Sequence, residues 1–187
     1  DRLRHGADGY PVGPRPLLGV HRHPEPGVRR LVEHPVPGGI ESRGCRVVVV
    51  PAKSSSQEVL SLKPDGIVIS PGPGDPELLK YLVNKTKKLI GRLPILGICL
   101  GNQVLGCAMG GKTFKLPFGH RGGNHPVKDL VSGKVFITAQ NHGYALDAET
   151  LPSDLDVTHI NLNDGTVEGI RHNELPIMGI QFHSEAS

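Results

Sequence analysis

The segment Gly97-Ile98-Cys99-Leu100-Gly101 carries the clearest chemical pattern in this chain of 187 residues. A cysteine between two glycines, at the end of an apolar run and the start of a helical pattern, has the layout of a nucleophile elbow. The glycines are needed because the nucleophile occupies a strained turn where neighbouring Cβ atoms would clash. The helix that begins there would help a thiolate to form. The pattern predicts a nucleophilic Cys99, with a buried core cysteine as the alternative.

Two further segments follow apolar runs and carry groups that suit a nucleophilic cysteine. The loop Pro71–Asp75 is rich in Gly and Pro, and such a loop can aim backbone N–H groups at an oxyanion. His183 and Glu185 are two residues apart, which places them on one face of an extended strand. A histidine oriented by a carboxylate is the arrangement of a catalytic triad. Each segment alone has an ordinary structural explanation, a tight turn or a chance His-x-Glu.

Short apolar runs alternate with helical patterns in the first part of the region from residue 41 onward. The runs 46–50, 66–70 and 94–98 are typical of buried parallel strands. Asp75 and Pro76 suit the start of one helix, and a second helix follows Cys99 and ends at Gly110. This order predicts an α/β fold with right-handed crossovers. After residue 112 we expect short strands and turns.

Composition excludes several classes of protein. Apolar residues make up 37% and charged residues 21%, and no apolar run approaches the roughly 20 residues of a spanning helix. Net charge is +3 without a Lys/Arg tract, so nucleic-acid binding has no support. The 3 cysteines include no C-x-x-C pair, and a reducing compartment, the cytoplasm, is expected. His120, His125, His159 and His172 show no metal-ligand spacing, so no metal site is predicted.

Residues 1–40 differ in amino-acid composition from the rest of the chain. They are rich in Pro, Gly and Arg, contain no Lys, and show neither strand nor helix periodicity. Such a composition buries too little apolar surface to offset the entropy of ordering. We therefore expect a poorly ordered arm over 1–40, or a stretch that is not native coding sequence, followed by a domain over 41–187.

The motifs together resemble those of the class I (triad) glutamine amidotransferases. PGPGDP, GICLGNQ and QFHSEAS occur here in the order of that family. Two blocks between them, FGHRGGNHPV and ITAQNHGYALD, resemble the small, glutaminase subunit of carbamoyl-phosphate synthase rather than the anthranilate, GMP, CTP or imidazole-glycerol-phosphate relatives. The resemblance covers about residues 41–187. It implies an open, mostly parallel sheet flanked by helices, preceded by the irregular N-terminal arm.

The resemblance assigns roles residue by residue. Cys99 is the expected nucleophile, His183 its base and then acid, and Glu185 the residue that orients His183. The expected oxyanion donors are the loop at Gly72 and Gly74 and the backbone N–H of Leu100. The residues expected to hold the amino-acid end of glutamine are Gln103, Asn141, Gly143 and Tyr144.

The implied activity is hydrolysis of L-glutamine to glutamate and ammonia through a Cys thioester. The ammonia would pass to a carbamoyl-phosphate synthase large subunit, which uses ATP and bicarbonate in pyrimidine or arginine biosynthesis. No cofactor is expected in this chain itself, which shows no nucleotide-binding motif. The alternatives are a catalytically impaired, truncated fragment, the amidotransferase of another biosynthetic synthase, and a related α/β hydrolase or peptidase.

The sequence departs from the family pattern in several places. Asn102 stands where His is common, and Ser184 stands where Pro is usual between the triad His and Glu, which could slacken the triad. The family's first strand is not recognisable in residues 1–40. We also expect that the family's separate N-terminal domain, including a Ser that touches glutamine, is absent, and the given sequence stops at Ser187. We therefore expect a domain truncated at both ends.

Overall fold

The computed structural model describes residues 17–21 and 35–186, and these form one sheet with helices packed against it. The helices are α1 (Pro35–Glu41), α2 (Ser56–Ser61), α3 (Lys80–Leu89) and α4 (Leu100–Ala108). The strands are β1 (Leu17–His21), β2 (Arg46–Val50), β3 (Gly66–Ile69), β4 (Ile95–Ile98), β5 (Thr113–Asp129), β6 (Val135–Leu146), β7 (Leu155–Asn161), β8 (Val167–His172) and β9 (Ile177–Ile180). Short 3₁₀ turns lie at Pro76–Leu79, Ala148–Thr150 and Ser184–Ala186.

The sheet has nine strands in the order β2-β1-β3-β4-β9-β8-β7-β5-β6. Strands β2, β3, β4, β9, β7 and β6 run in one direction, and β1, β8 and β5 run in the other. The parallel ladders β3–β4 and β4–β9 lie at the centre. The predicted α/β class is therefore confirmed. The carboxyl ends of β3, β4 and β9 meet at one edge, where parallel sheets bind ligands.

Apolar side chains on both faces of the central strands explain the continuous apolar runs of the sequence. Ile67 and Ile69 of β3 pack with Leu105 of α4 in the larger core, while Val68 faces a second core that contains Val36 of α1. Successive strand residues point to opposite faces, so a strand covered on both sides must be apolar throughout. Each fully buried aliphatic side chain contributes about 1.5–3 kcal/mol.

Strand β1 corrects one expectation about the N-terminal region. We expected no recognisable first strand in residues 1–40, but Leu17–His21 pairs antiparallel with both β2 and β3. Its pairing uses backbone N–H and C=O groups, which every sequence has, so side-chain periodicity gave no signal. Residues 1–16 and 22–34 lie outside the described residues. The division into an arm and a domain stays a prediction.

The region after residue 112 forms a long two-stranded ribbon rather than only short strands and turns. Strand β5 has 17 residues and β6 has 12. The pairing register shifts between Lys115 and His120 and again between Gly122 and His125. Such irregularities bend a ribbon, and here they divide a single strand into pieces that look separate in the sequence. No helix in the described ranges is long and apolar enough to cross a membrane.

Candidate active site

The turn between β4 and α4 has the strained geometry expected of a nucleophile elbow. Cys99 has φ +54° and ψ −109°, which is unfavourable for a residue with a side chain. A Cβ on Gly97 would lie 2.5 Å from the carbonyl oxygen of Gly101. A Cβ on Gly101 would lie 1.9 Å from the carbonyl oxygen of Ile69. Both glycines are therefore dictated by close backbone approach, as the G-x-C-x-G pattern predicts.

The elbow is fixed between β9 and β6. The backbone N–H of Cys99 donates to the carbonyl of Ile180 at 2.8 Å. The Cys99 Sγ lies 4.0 Å from the carbonyl oxygen of Asn141. The thiol is largely buried, with 3% of the residue exposed. It lies directly before the N-terminus of α4, where partial positive charge favours an anion.

His183 and Glu185 are in direct contact, but not for the reason that strand spacing suggests. His183 Nδ1 lies 2.8 Å from Glu185 Oε1. Strand β9 ends at Ile180, and the 3₁₀ turn Ser184–Ala186 brings the two side chains together. The His183 backbone N–H donates to the Ala139 carbonyl at 2.9 Å and fixes this segment on β6. With Ser184 in place of the usual proline, the histidine and the carboxylate still meet.

The imidazole of His183 is held between a sulfur and a carboxylate. Burial lowers its pKa, but hydrogen bonds to Cys99 and Glu185 and the charges of both groups outweigh burial and raise the pKa to about 10. A histidine with this pKa is an imidazolium at neutral pH, paired with Cys99 on one side and Glu185 on the other. This is the arrangement of a Cys–His–Glu triad.

A cleft of about 790 Å³ opens above the triad. Its lining includes all the residues that the sequence assigned to the site: Gly72, Gly74, Cys99, Leu100, Gln103, Asn141, Gly143, Tyr144, His183 and Glu185. The loop Pro71–Asp75, called the glycine loop from here on, forms one wall, and the β5–β6 ribbon forms another. The cleft is large enough for an amino-acid side chain and its α-carbon groups.

Gln103 lines the cleft, but its side chain is buried and already hydrogen-bonded. Its Nε2 donates to the Tyr144 carbonyl at 2.6 Å and to Gln181 Oε1 at 3.0 Å. Asn102 Nδ2 also donates to Gln181 Oε1, at 3.3 Å. These contacts join α4 to β6 and to the segment after β9. Asn102 thus occupies the packed layer behind the nucleophile rather than the triad.

Tyr144 connects the two walls of the cleft. A hydrogen bond to Asp75 raises the pKa of the Tyr144 hydroxyl. Asp75 also accepts a hydrogen bond from the Glu77 backbone N–H at 2.9 Å. It thereby caps the 3₁₀ turn Pro76–Leu79, which follows the glycine loop. Asp75 therefore fixes both the end of the glycine loop and the ribbon opposite it.

Two charged residues of the cleft wall were not identified from the sequence. Lys115 and Arg121 line the cleft and are the ladder partners of Tyr144 and Asn141, respectively. The two cations reach the cleft only through the pairing of β5 with β6, and this pairing is known from the structure and not from the sequence. Nothing in the spacing of the two cations signals it.

A buried polar cluster that connects the ribbon with β8 was also missed. It contains His120, His142 and Glu168, on three different strands. Burial lowers the pKa of His142 to about 4, although its hydrogen bond to the Tyr144 carbonyl acts in the opposite direction. Burial also raises the pKa of Glu168 to about 7, despite hydrogen bonds from Asn161 and Gln140. Strand pairing, not sequence spacing, brings the three together.

Comparisons with known proteins agree with this geometry. The sequence model of the family Glutamine amidotransferase class-I matches residues 32–187. The carbamoyl phosphate synthase small chain of Akkermansia muciniphila is 54% identical over 148 residues, which are 79% of this chain and 40% of that protein. The same protein from Methanocaldococcus jannaschii is 58% identical over 144 residues, 77% of this chain and 41% of that protein. The chain thus spans about two fifths of the length of these relatives.

Solved structures show the same fold. A GMP synthase protein from Thermoplasma acidophilum superposes with a TM-score of 0.72 at 25% identity, over 81% of this chain and 78% of that one. A glutamine amidotransferase from Thermotoga maritima gives a TM-score of 0.56 at 22% identity, over 66% of this chain and 57% of that one. From its sequence motifs, its elbow geometry and the family match over most of its length, this chain belongs to the class I glutamine amidotransferases.

Proposed function

We propose that this chain hydrolyses L-glutamine to glutamate and ammonia through a γ-glutamyl thioester on Cys99. One observation carries the proposal: a strained cysteine at the start of a helix shares a cleft with a histidine that contacts Glu185 at 2.8 Å. That arrangement supplies a nucleophile, a proton carrier and an orienting carboxylate in one place.

The proposed reaction has two halves. Cys99 Sγ attacks the side-chain amide carbon of glutamine, and the amide oxygen gains negative charge. The backbone N–H of Leu100 and the glycine loop at Gly72 and Gly74 would stabilise this oxyanion. His183 then protonates the departing nitrogen, and ammonia leaves. A water molecule gives a proton to His183 and attacks the thioester, which releases glutamate and restores the thiol.

The amino-acid end of glutamine would lie along β6. Asn141, Gly143 and Tyr144 line the cleft, and Gln103 donates a hydrogen bond to the Tyr144 carbonyl. Lys115 and Arg121 add positive charge to the same wall, which would favour the α-carboxylate of the substrate. The chain's own residues thus supply both the chemistry and the binding of the substrate in this proposal.

The relatives named carbamoyl phosphate synthase small chain support a partner for this chain. We propose that ammonia passes to the large subunit of such a synthase, which would use ATP and bicarbonate. The loop that contains Gly72 and Gly74, the turn of Cys99 and Leu100, and His183 lie on three separate segments, so docking of a partner can change their alignment. Loss of one oxyanion donor typically costs about 10²–10³ in rate. Weak basal activity that rises with the partner is therefore expected.

Covalent labelling tests the nucleophile. A glutamine-mimicking electrophile should label Cys99 once per chain, and Cys99→Ser should lose both labelling and glutaminase activity. Cys107→Ser is the matched control, because Cys107 lies on α4 and burial raises the pKa of its thiol. Labelling at Cys45 or Cys107 in place of Cys99 would reject the assignment.

Glutamate release at fixed glutamine, with and without a carbamoyl-phosphate synthase large subunit, ATP and bicarbonate, tests the partner. A rise on adding the large subunit supports coupling. Full activity that the partner leaves unchanged contradicts coupling. No activity in either condition favours the impaired-fragment alternative.

A further inference from the structure

The buried polar cluster that connects the β5–β6 ribbon with β8 has an unusual set of contacts. We define the His–Glu cluster as His120 on β5, Gln140 and His142 on β6, and Glu168 on β8, all of them buried. His120 and His142 are ladder partners, and their ring centroids lie 4.9 Å apart. Gln140 and His142 also line the cleft, but no member of the cluster has been given a role in the proposed glutamine chemistry.

In both His120 and His142, the ring nitrogen that faces away from the cluster donates a hydrogen bond. His120 Nε2 lies 2.8 Å from a carboxylate oxygen of Asp164, and His142 Nδ1 lies 2.8 Å from the Tyr144 carbonyl oxygen. A carbonyl and a carboxylate oxygen accept hydrogen bonds, so each of these ring nitrogens carries a hydrogen. In a neutral imidazole the other nitrogen then presents a lone pair. Those lone pairs are on His120 Nδ1 and His142 Nε2, which point into the cluster.

The amide of Gln140 is oriented by a chain of hydrogen bonds. Thr138 Oγ1 donates its one hydrogen to the His125 carbonyl at 2.9 Å. It therefore accepts from Gln140 Nε2, which lies 3.1 Å away. This places Gln140 Oε1, another acceptor, 2.9 Å from both His120 Nδ1 and His142 Nε2.

Glu168 adds a carboxylate to the same point. Its Oε1 lies 3.4 Å from His120 Nδ1, and its carboxylate also accepts a hydrogen bond from the Gln140 amide. Asn161 Nδ2 donates to this edge of the cluster, 3.1 Å from Glu168 Oε1 and 3.4 Å from His120 Nδ1. Two nitrogen lone pairs and the Gln140 amide oxygen thus converge beside the carboxylate, and neither ring nitrogen has a hydrogen to give to the amide oxygen. Lone pairs that face one another repel. A cation at their centre would be attracted to all of them and would remove this repulsion.

We propose that the His–Glu cluster binds one divalent transition-metal ion of the zinc class. Its ligands are His120 Nδ1, His142 Nε2, the Glu168 carboxylate and Gln140 Oε1. The ligand atoms of the two histidines and the glutamate lie within 4.8 Å of one another. Ligands of a tetrahedral zinc ion, with bonds of about 2.0–2.2 Å, are roughly 3.3 Å apart. Gln140 Oε1 lies 2.9 Å from each ring nitrogen, and Glu168 Oε1 lies 3.4 Å from His120 Nδ1.

The surroundings match those of known metal sites. A ligating histidine usually donates its other ring N–H to a carboxylate or a carbonyl, as His120 does to Asp164 and His142 does to Tyr144. The ion would join β5, β6 and β8 at the cleft wall, which Gln140 and His142 line. This site goes beyond the proposed glutaminase function and beyond the sequence, where the ligands show no motif because they lie on three strands.

Metal binding to the full chain tests the site. Cys99→Ser serves as the reference protein, because the Cys99–His183 pair could itself bind zinc. Equilibrium dialysis with Zn²⁺ should give one ion per chain, and Co²⁺ should show the intense visible absorption of a four-coordinate ion. In the same background, His120→Asn should abolish binding. Asp164→Asn keeps all four ligands and should weaken binding by about 10–100-fold, the usual effect of losing an outer-shell partner.

Two controls separate ligand loss from damage to the fold. Asp164 has 40% of its side chain exposed, so Asp164→Asn should fold even if His120→Asn does not. His159 lies on β7 against Phe182, and His159→Asn should bind the ion as tightly as the reference. The proposal fails if the reference protein binds no metal, which would mean that protons or a rotated Gln140 amide satisfy the cluster. It also fails if Asp164→Asn binds with unchanged affinity.

Discussion

The centre of the sheet and the β5–β6 ribbon build the two sides of the same cleft by different means. At the centre, two parallel ladders bring the ends of β3, β4 and β9 to one edge, and two glycines permit the elbow of Cys99. In the ribbon, register shifts near Gly122 bend a strand of 17 residues so that Lys115 and Arg121 reach the cleft. The centre is specified by local backbone sterics, and the ribbon is specified by long-range pairing.

The difference affects how each side responds to substitution. Backbone atoms that approach to within a few ångströms leave no alternative packing, so a single added methyl group is expected to be severe at the elbow. The ribbon wall acts through hydrogen bonds and exposed side chains, whose individual contributions are modest. Substitutions on the two sides should therefore give effects of very different size.

The largest effect is expected at Gly101. A methyl group there would lie 1.9 Å from the carbonyl oxygen of Ile69, and no side-chain motion can relieve a clash with backbone. Gly101→Ala should lower the free energy of unfolding by about 3 kcal/mol or more and remove glutaminase activity. Urea unfolding and glutamate release measure the two effects. Gly123→Ala is the matched control on the ribbon, because an added Cβ there meets nothing within 4 Å. Equal unfolding midpoints for the two variants would show that the elbow is not sterically fixed.

The next largest effect is expected at the carboxylate of the triad. Glu185→Gln keeps the size of the side chain but removes the charge that holds His183 as a proton carrier. We expect kcat to fall by about 10²–10⁴, the contribution of a positioned acid–base group. The pKa of His183 should fall as well, because the Glu185 charge helps to raise it. Glu174→Gln, at an exposed position before β9, should leave kcat unchanged. A Glu185→Gln variant with the activity of wild type would remove Glu185 from the triad.

The elbow was predictable because its signals are local. Gly97, Cys99 and Gly101 fall within one five-residue motif, and the strand before them and the helix after them show clear apolar patterns. The contact of His183 with Glu185 was also predicted, although a 3₁₀ turn rather than strand geometry produces it. In that case the short sequence separation kept the two side chains within reach of each other in either conformation.

The ribbon and its buried cluster were not predictable in the same way. His120, His142 and Glu168 meet only because β5, β6 and β8 take particular places in the sheet. Strand β1 was missed for a related reason, since backbone pairing with β2 and β3 does not need periodic side chains. Long-range register carries this information, and no short window of sequence contains it.

A titration measures how strongly the surroundings of His183 stabilise its protonated form. Its pKa is raised to about 10, whereas burial lowers the pKa of His159 on the antiparallel side. NMR should therefore show His183 titrating near pH 10 and His159 below its usual pKa of about 6.5. Cys99→Ser should bring the His183 midpoint down, because the sulfur supplies part of the stabilisation. A His183 midpoint near pH 6.5 in the unmodified chain would mean that the triad is not assembled.

The same shift fixes the sign of a pH effect on stability. The pKa of His183 is higher in the folded chain than the ordinary value of about 6.5 in the unfolded chain. The stability that this histidine contributes is therefore complete below about pH 6.5 and is lost as pH rises through about 10. Urea unfolding of wild type and His183→Asn across this range should show the difference between them shrinking with increasing pH. A difference that grows with pH would contradict the assigned direction.

The smallest effect is expected where the two sides of the cleft meet, at Tyr144. Its hydroxyl is hydrogen-bonded to Asp75, and its carbonyl accepts from Gln103. Tyr144→Phe removes only the hydroxyl contact, so the backbone of β6 should stay in place. We expect the KM for glutamine to rise by less than about tenfold with kcat unchanged, since one half-buried hydrogen bond contributes little. Tyr81→Phe, on α3, is the matched control and should leave both constants unchanged. A fall in kcat with an unchanged KM would show instead that Tyr144 aligns the glycine loop for chemistry, and would make the ribbon as important to catalysis as the elbow.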